Sequence, residues 1–227
     1  MTIGIVIPTL NEAATLPRLL EDLSQLGRVT AVDVVVADGG SRDTTRALAL
    51  ASGARVLWAP RGRARQLNAG ARVVCGEWLL FLHADTRLDA AARQALLAAV
   101  AAGGDLRAAV FRFAIDLPWF WKRFIELGQG IREGVWHLPY GDQGLLVQRA
   151  LFDAVGGYPG LPLMEDVAMI QRLQCHTTVR SLPAALTTSG RRYRRDGVVR
   201  TWLKHTALIT LYRAGVSPTR LARWRDG

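Results

Sequence analysis

Apolar runs of β character alternate with helix-period segments along the first hundred residues. The runs are Ile3 to Ile7, Val32 to Ala37, Arg55 to Ala59 and Trp78 to Leu82, each short and closed by turn-forming or polar residues. Helical periodicity fills the gaps over about Ala13 to Leu26, Asp43 to Ala51 and Ala64 to Cys75, and a fourth helix, Ala90 to Ala102, follows the last run. This βαβ order predicts an α/β fold with a mostly parallel central sheet. In such sheets ligands gather beyond the carboxyl ends of the strands. The residues there are Pro8-Thr9-Leu10-Asn11-Glu12, Asp38-Gly39-Gly40-Ser41 and His83-Ala84-Asp85.

The second half has another texture. Ala109 to Ile115 alternates as a strand does, an aromatic-rich segment runs from Trp119 to Trp136, and Gly141-Asp142-Gln143-Gly144 opens a turn. Helices are expected over about Asp166 to Cys175 and, with amphipathic character, over about Val198 to Ala214. Gly103-Gly104 reads as a hinge between the halves or as a helix C-cap.

Composition narrows the class without naming it. Half of the 227 residues are hydrophobic and 21% are charged, which excludes a disordered or fibrous chain. Met1 leads directly into the first apolar run, without the pattern of a secretory signal, and no apolar stretch is long enough to span a bilayer. The expected location is the cytoplasm, with the inner face of the membrane as a second place. Cys75 and Cys175 are expected to be buried free thiols of a reducing compartment. The net charge is +10, and only two of the 29 cationic residues are lysines, Lys122 and Lys204. That arginine excess fits either a solvated basic surface or a surface that meets phosphates, which guanidinium binds through a planar fork of donors.

Candidate chemistry concentrates at the strand ends. Asp38, followed by two glycines that allow close backbone approach, is placed to accept hydrogen bonds from a ribose or base, or to cap a turn. A dinucleotide fold needs Gly-x-Gly-x-x-Gly after the first strand, and a P-loop needs its Gly-Lys sequence; neither is present. Asp85 leaves the most apolar run, so its carboxylate calls for a compensating cation or donors. A hard divalent ion shared with a diphosphate satisfies it, with His83 as a ligand, a supporting partner or a wall; capping of the next helix is the other role open to Asp85. Glu165-Asp166 opens a helical segment, either as a cap favoured by the macrodipole or as a general base. Arg61, Arg63 and Arg65 precede Gln66-Leu67-Asn68-Ala69-Gly70, within reach of nucleotide phosphates or a base. Arg191-Arg192-Tyr193-Arg194-Arg195 is too dense for an ordinary helix face and has a disordered basic loop as its plainer reading.

Taken in order, Pro-Thr-x-Asn-Glu, Asp-Gly-Gly-Ser-x-Asp-Thr, Arg-x-x-Gln-x-Asn-x-Gly, His-Ala-Asp and Glu-Asp resemble the motif series of family-2 glycosyltransferases of GT-A fold. The resemblance covers nearly the whole chain. It implies a Rossmann-like three-layer α/β/α sandwich in a single domain over 1–227, with a nucleotide-binding half (1–103), an acceptor-side half (104–196) and amphipathic C-terminal helices (197–227). It implies that Pro8, Thr9, Asn11, Glu12, Asp38, Gly39, Arg63, Arg65, Asn68, His83 and Ala84 surround the nucleotide sugar. Asp85 matches the last acid of the Asp-x-Asp motif and would hold Mn2+ or Mg2+; His83 stands where that motif has its first acid. Asp166 would be the catalytic base, with Gly141, Asp142, Gln143, Glu165, Arg191 and Arg192 on the acceptor side. The stretch Pro162 to Asp166 also resembles a short bacterial subgroup associated with arsenosugar biosynthesis.

The expected reaction is therefore transfer of a sugar, with inversion, from a nucleotide diphosphate, UDP above others, to a hydroxyl of a small-molecule or lipid-linked acceptor. Two rivals stand beside it. One is nucleotidyl transfer to a sugar phosphate. The other is a basic module without catalysis, bound to a membrane surface or nucleic acid. As a transferase the chain would not use nucleic acid as a partner, and residues 197–227 would offer a peripheral membrane contact.

Overall fold

The computed structural model describes residues 1–123, 125 and 143–226. Its frame is an eight-stranded sheet in the order β3-β2-β1-β4-β7-β6-β8-β5. β1 (Thr2–Thr9), β2 (Ala31–Asp38), β3 (Arg55–Trp58) and β4 (Trp78–Phe81) are mutually parallel. β7 (Leu145–Gln148) runs antiparallel to both β4 and β6 (Ala108–Asp116). The eleven-residue β8 (Val179–Ser189) lies parallel to β6, and the two-residue β5 (Thr86–Arg87) closes the edge against its end.

Helices cover both faces, as a sheet with two apolar sides requires. Ile3, Ile5 and Ile7 pack with Leu16, Leu19, Leu23 and Leu26 of α1 (Leu16–Gly27) and with Ala92, Leu96 and Ala99 of α4 (Ala90–Ala102); α2 (Thr45–Ala51) adds Ala49. Val6 and Val35 face the other way, toward Leu67 and Ala71 of α3 (Arg63–Val73). That second core continues through α5 (Arg149–Ala154), α6 (Glu165–Gln174), α8 (Val198–Arg213) and α9 (Pro218–Asp226), which supply Leu151, Ile170, Leu208 and Leu221. At Gly70 the approach is so close that a Cβ would stand 2.3 Å from Val6 Cγ1, so only glycine lets α3 lie against β1. Arg149 finishes the same helix, donating to the carbonyls of Ala71, Val74 and Gly76.

The early elements match their sequence readings within a few residues, and the three-layer α/β/α architecture is the expected one. Two readings change, Gly103 is decided between its two alternatives, and β8 has no counterpart in the sequence reading. β8 carries no strong apolar run, and its Pro183 argues against a strand; the proline falls where the β6 pairing slips from Val110↔Ser181 to Arg112↔Ala185, a bulge that tolerates a missing donor. The arginine-dense stretch forms a helix, α7 (Arg191–Asp196), not a basic loop. Both cysteines are exposed rather than buried, because each follows the end of a helix instead of facing the sheet. Gly103, at φ 54°, is the C-cap of α4. Among the described residues no helix is long and apolar enough to cross a membrane.

Candidate functional site

A cavity of about 500 Å3 opens at the carboxyl ends of β1 and β4 and is walled on its far side by α6, α7 and α8. The sheet side contributes Pro8, Thr9, Glu12, Arg63, His83, Ala84 and Asp85; the helical side contributes Glu165, Asp166, Arg191 and Arg192. Two carboxylates separated by 80 residues of chain, Asp85 and Asp166, thus share one space.

The sheet side is pinned from behind. Asp38, fully buried, accepts from the Gly40 and Ser41 amides at 3.0 and 2.9 Å, from Thr9 Oγ1 at 3.2 Å and from the Ser41 hydroxyl. Its carboxylate is thereby committed to the turn, the second of the roles open to it in the sequence. Gln66 Nε2 donates to the carbonyls of Thr9 and Ala37, both at 2.8 Å, and stitches the ends of β1 and β2 together. Gly39 makes room for that amide, which a Cβ would meet at 3.1 Å. Asn11, at φ 56°, accepts from Arg42 N through Oδ1 while its own amide donates to Ser41 Oγ. Asn68 exchanges hydrogen bonds with the backbone of Tyr158, tying α3 to the turn that precedes α6. Asn11, Asp38, Gly39, Arg65, Asn68 and Gln143 do not line the cavity; the first three and Asn68 shape its wall, and Gln143 is buried two residues before β7. Gly141 and Asp142 lie outside the described residues.

Asp85 does not cap α4, whose N-cap is Asp89, accepting from Ala92 N at 2.8 Å. The β5–β8 pairing sets Asp85 beside the end of β8, where its carbonyl accepts from Ser189 N at 3.1 Å. Burial, and then the negative charge of Glu12, raise the Asp85 carboxyl above the ordinary range, with Arg191 and Arg192 opposing. Burial, Arg63 and Arg192 hold the His83 imidazole well below its usual value, so it is neutral at neutral pH. A neutral imidazole two residues from a carboxylate that burial raises in spite of Arg191 and Arg192 suits a divalent cation accepting both oxygen and nitrogen. Among the described residues no three acidic, histidine or cysteine side chains converge, so this pair alone would leave most ligand positions to a substrate.

Opposite, Met164 adopts φ 64°, a left-handed conformation uncommon for a bulky residue, and starts α6 so that Glu165 and Asp166 enter the cavity. Arg63 reaches across, 3.2 Å from Glu165 and 3.9 Å from Asp166. Burial raises the Glu165 carboxyl even so. Asp166 Oδ1 also accepts from Val167 N at 2.8 Å, so capping and cavity roles coexist in one side chain. Arg191 closes the rim onto Glu12 at 3.1 Å. Sequence reasoning missed Gln66, Met164, Thr188, Ser189 and Tyr193, and also Trp202 and His205, which α8 brings into the wall. Gln66, Met164 and Tyr193 had a local signal, lying inside the Arg-x-x-Gln-x-Asn-x-Gly run, the Pro162 to Asp166 stretch and the arginine cluster.

The family model for glycosyl transferase family 2 matches residues 4–160, more than half of the chain. The chain belongs to glycosyl transferase family 2. Membership of a family of glycosyl transferases weighs against the nucleotidyltransferase and the non-catalytic binding module. Among curated proteins, glucosyl-3-phosphoglycerate synthase of Mycobacterium tuberculosis is 43% identical over 56 residues, covering 25% of this chain and 17% of that protein. The PGL/p-HBAD biosynthesis glycosyltransferase of Mycobacterium bovis is 31% identical over 167 residues, 68% of this chain and 62% of the relative. The chain thus matches less than two thirds of the length of either. In fold it resembles the crystal structure of the Mycobacterium tuberculosis glucosyl-3-phosphoglycerate synthase in complex with Mn2+, UDP and glucosyl-3-phosphoglycerate, at TM-score 0.62 and 19% identity over 89% of this chain and 77% of that one. It also resembles S. aureus TarS 1-349 in complex with UDP-GlcNAc, at TM-score 0.62 and 16% identity over 83% and 58%. The fold is that of the GT-A transferases.

Proposed function

We propose that this family-2 enzyme transfers a sugar from a UDP-linked donor to an acceptor hydroxyl by single displacement with inversion. The observation that carries the reading is the presence of Asp85 and Asp166 in one cavity of about 500 Å3, large enough for a nucleotide sugar. Solved relatives are complexes with UDP and Mn2+, with UDP and Mg2+, and with UDP-GlcNAc, which supports the same donor class here.

In this reading residues 1–103 carry the donor side and 104–196 the acceptor side, with Thr9, Glu12 and Arg63 around the nucleotide. Asp85 and His83 would hold Mn2+ or Mg2+, which when bound supplies positive charge to the departing diphosphate. Asp166 takes the proton of the acceptor hydroxyl as the new bond forms. Arg63 and Arg192 face the leaving group, and fixed cations there act without reorganisation at the moment of reaction. Arg63 also orients Asp166 from below, so donor binding and base positioning meet in one guanidinium. The acceptor is a small molecule or a lipid-linked one; the arsenosugar connection rests on the short chain and the Pro162 to Asp166 stretch. Docking of 197–227 at the inner face of a membrane belongs to the same proposal, with Val199, Leu203 and Trp224 as its exposed apolar side chains.

A thermal-shift screen of nucleotide sugars with and without Mn2+ tests the donor and the metal together. The expected result is a rise in Tm for a UDP-sugar that depends on the metal; a flat response to every nucleotide sugar under both conditions contradicts the reading.

A further inference from the structure

Beside the first lies a second cavity, of about 370 Å3, that shares Arg192, Arg195, His205 and Leu208 with it as lining residues. The wall of this second space is strongly cationic. Arg192, Arg195, Arg200, Lys204 and Arg225 converge on it, and Asp196 is the one carboxylate among its described lining residues. Three helices are needed to assemble that set: the end of α7, one face of α8 and the end of α9. The assembly is fixed, since Lys204 Nζ donates to the backbone carbonyl of Arg225 at 2.8 Å and locks α9 against α8.

Asp196 is engaged by Arg195 through two hydrogen bonds of 2.7 and 2.9 Å. Arg192 and Arg200 have no ion pair among the described residues, although both lower the Asp196 carboxyl from a distance. Thr201, on the same wall, is buried, and its hydroxyl finds no hydrogen-bond partner among the described residues. Like charges gathered at this density repel one another, and a dianion in their midst relieves that repulsion while accepting charge-assisted hydrogen bonds.

We propose that this second cavity binds a phosphate group carried by the acceptor, so that the acceptor's hydroxyl projects through the shared Arg192 and His205 region toward Asp166. The proposal rests on the transferase reading and adds the acceptor's chemical class to it. The donor diphosphate belongs at Asp85, so the two phosphate-bearing ends occupy separate cavities and bind together rather than in competition. The phosphate group comes from a soluble organic phosphate or from a phospholipid headgroup, and the shared feature is a terminal phosphate.

Calorimetric titration of inorganic phosphate and of glycerol 3-phosphate into the full chain, with and without saturating UDP and Mn2+, separates the outcomes. The expected result is that one of these anions binds the UDP-loaded protein, more weakly as salt rises, and that Arg200→Gln with Lys204→Gln weakens it about ten-fold or more, leaving UDP affinity within two-fold. Arg200→Glu provides a second variant at an exposed helix position that leaves the α8–α9 lock in place. A parallel arm measures flotation with vesicles of phosphatidylcholine alone or with phosphatidic acid; capture by the acidic vesicles that the same substitutions abolish assigns the phosphate to a lipid. Three results overturn the proposal: neither anion nor acidic vesicles bind, the substitutions change neither, or the anion competes with UDP. If UDP fails to bind while the anion still does, the transferase reading falls and the phosphate site stands.

Discussion

The wall of the main cavity built from the ends of β1, β2 and β4 and the wall built from α6, α7 and α8 are held in different ways. The first is fastened by buried contacts, Asp38 with four donors and Gln66 bridging two strands, to which the exposed Asn11 adds a bridge between two loops. The second shares an apolar core with α3 and also meets the first through ion pairs, Arg191 to Glu12 at the exposed rim and Arg63 to Asp166 and to the buried Glu165. Buried networks give up several kcal/mol when broken, whereas exposed pairs give up little. In the proposed reading the first wall is the donor side and the second the acceptor side, and charged ligands would take the place of the ion pairs without disturbing the sheet.

The largest effect that bears on this contrast is expected at the base. Asp166→Asn should lower kcat by about 10^3-fold, about 4 kcal/mol of barrier, with UDP affinity within two-fold, since Arg63 keeps its nearer partner Glu165 and the amide oxygen can still accept from Val167 N. Steady-state kinetics beside UDP titration measures both, and a kcat within five-fold of the native value rejects the assignment. On the opposite wall the damage should be to stability. Asp38→Ala leaves buried donors unpaired and should cost about 3 kcal/mol, a fall in Tm of roughly 6–12 °C by differential scanning calorimetry. An unchanged Tm would make Asp38 a dispensable cap.

The pH dependence sharpens the comparison further. Burial raises the Asp85 carboxyl, so the folded state binds that proton more tightly than the unfolded chain does. Its contribution to stability is full below the ordinary value of 3.8 and is lost as pH rises through the raised folded value. The unliganded Asp85→Asn variant should therefore be more stable than the native chain at neutral pH, by a margin that shrinks as pH falls. Chemical denaturation across pH 4 to 7.5 reads the trend, and a variant less stable at neutral pH contradicts it. Smallest is the rim latch: Arg191→Gln should change stability by less than about 0.5 kcal/mol, and a loss several times larger would show the two walls to be fastened alike.

How much of this was legible follows from which contacts are local. The four parallel strands and their helices announce themselves through period and turn residues, and the five motifs fall at strand ends or helix starts. β8 did not, because Leu182, Ala184 and Leu186 alternate only weakly and Pro183 sits in a bulge that pairing alone reveals. With β8 hidden, so was the link from Thr86 to Thr188 that carries the arginine helix to Asp85. Gly190 shows how tightly that link is set: a Cβ there would stand 2.3 Å from the carbonyl of Asp116, a steric demand made by a residue 74 positions away. Asp38 and Asn68 were legible as motif residues, but whether such a residue touches the ligand or holds the loop that does depends on partners distant in the chain, Thr9 and Tyr158. The C-terminal helix was legible as amphipathic, but its apolar side faces the core through Leu208 and Ile209 and the cavity through Trp202 and His205.

The account turns on Asp85 as the anchor for a cation that joins the protein to the donor diphosphate, and calorimetric titration of UDP in Mn2+ or in chelator, for the native chain and for Asp85→Asn, tests it most directly. The account predicts binding that Mn2+ strengthens at least ten-fold in the native chain and no such gain in the variant. Equal UDP affinity in Mn2+ and in chelator for the native chain, or a full metal response in the variant, would contradict it.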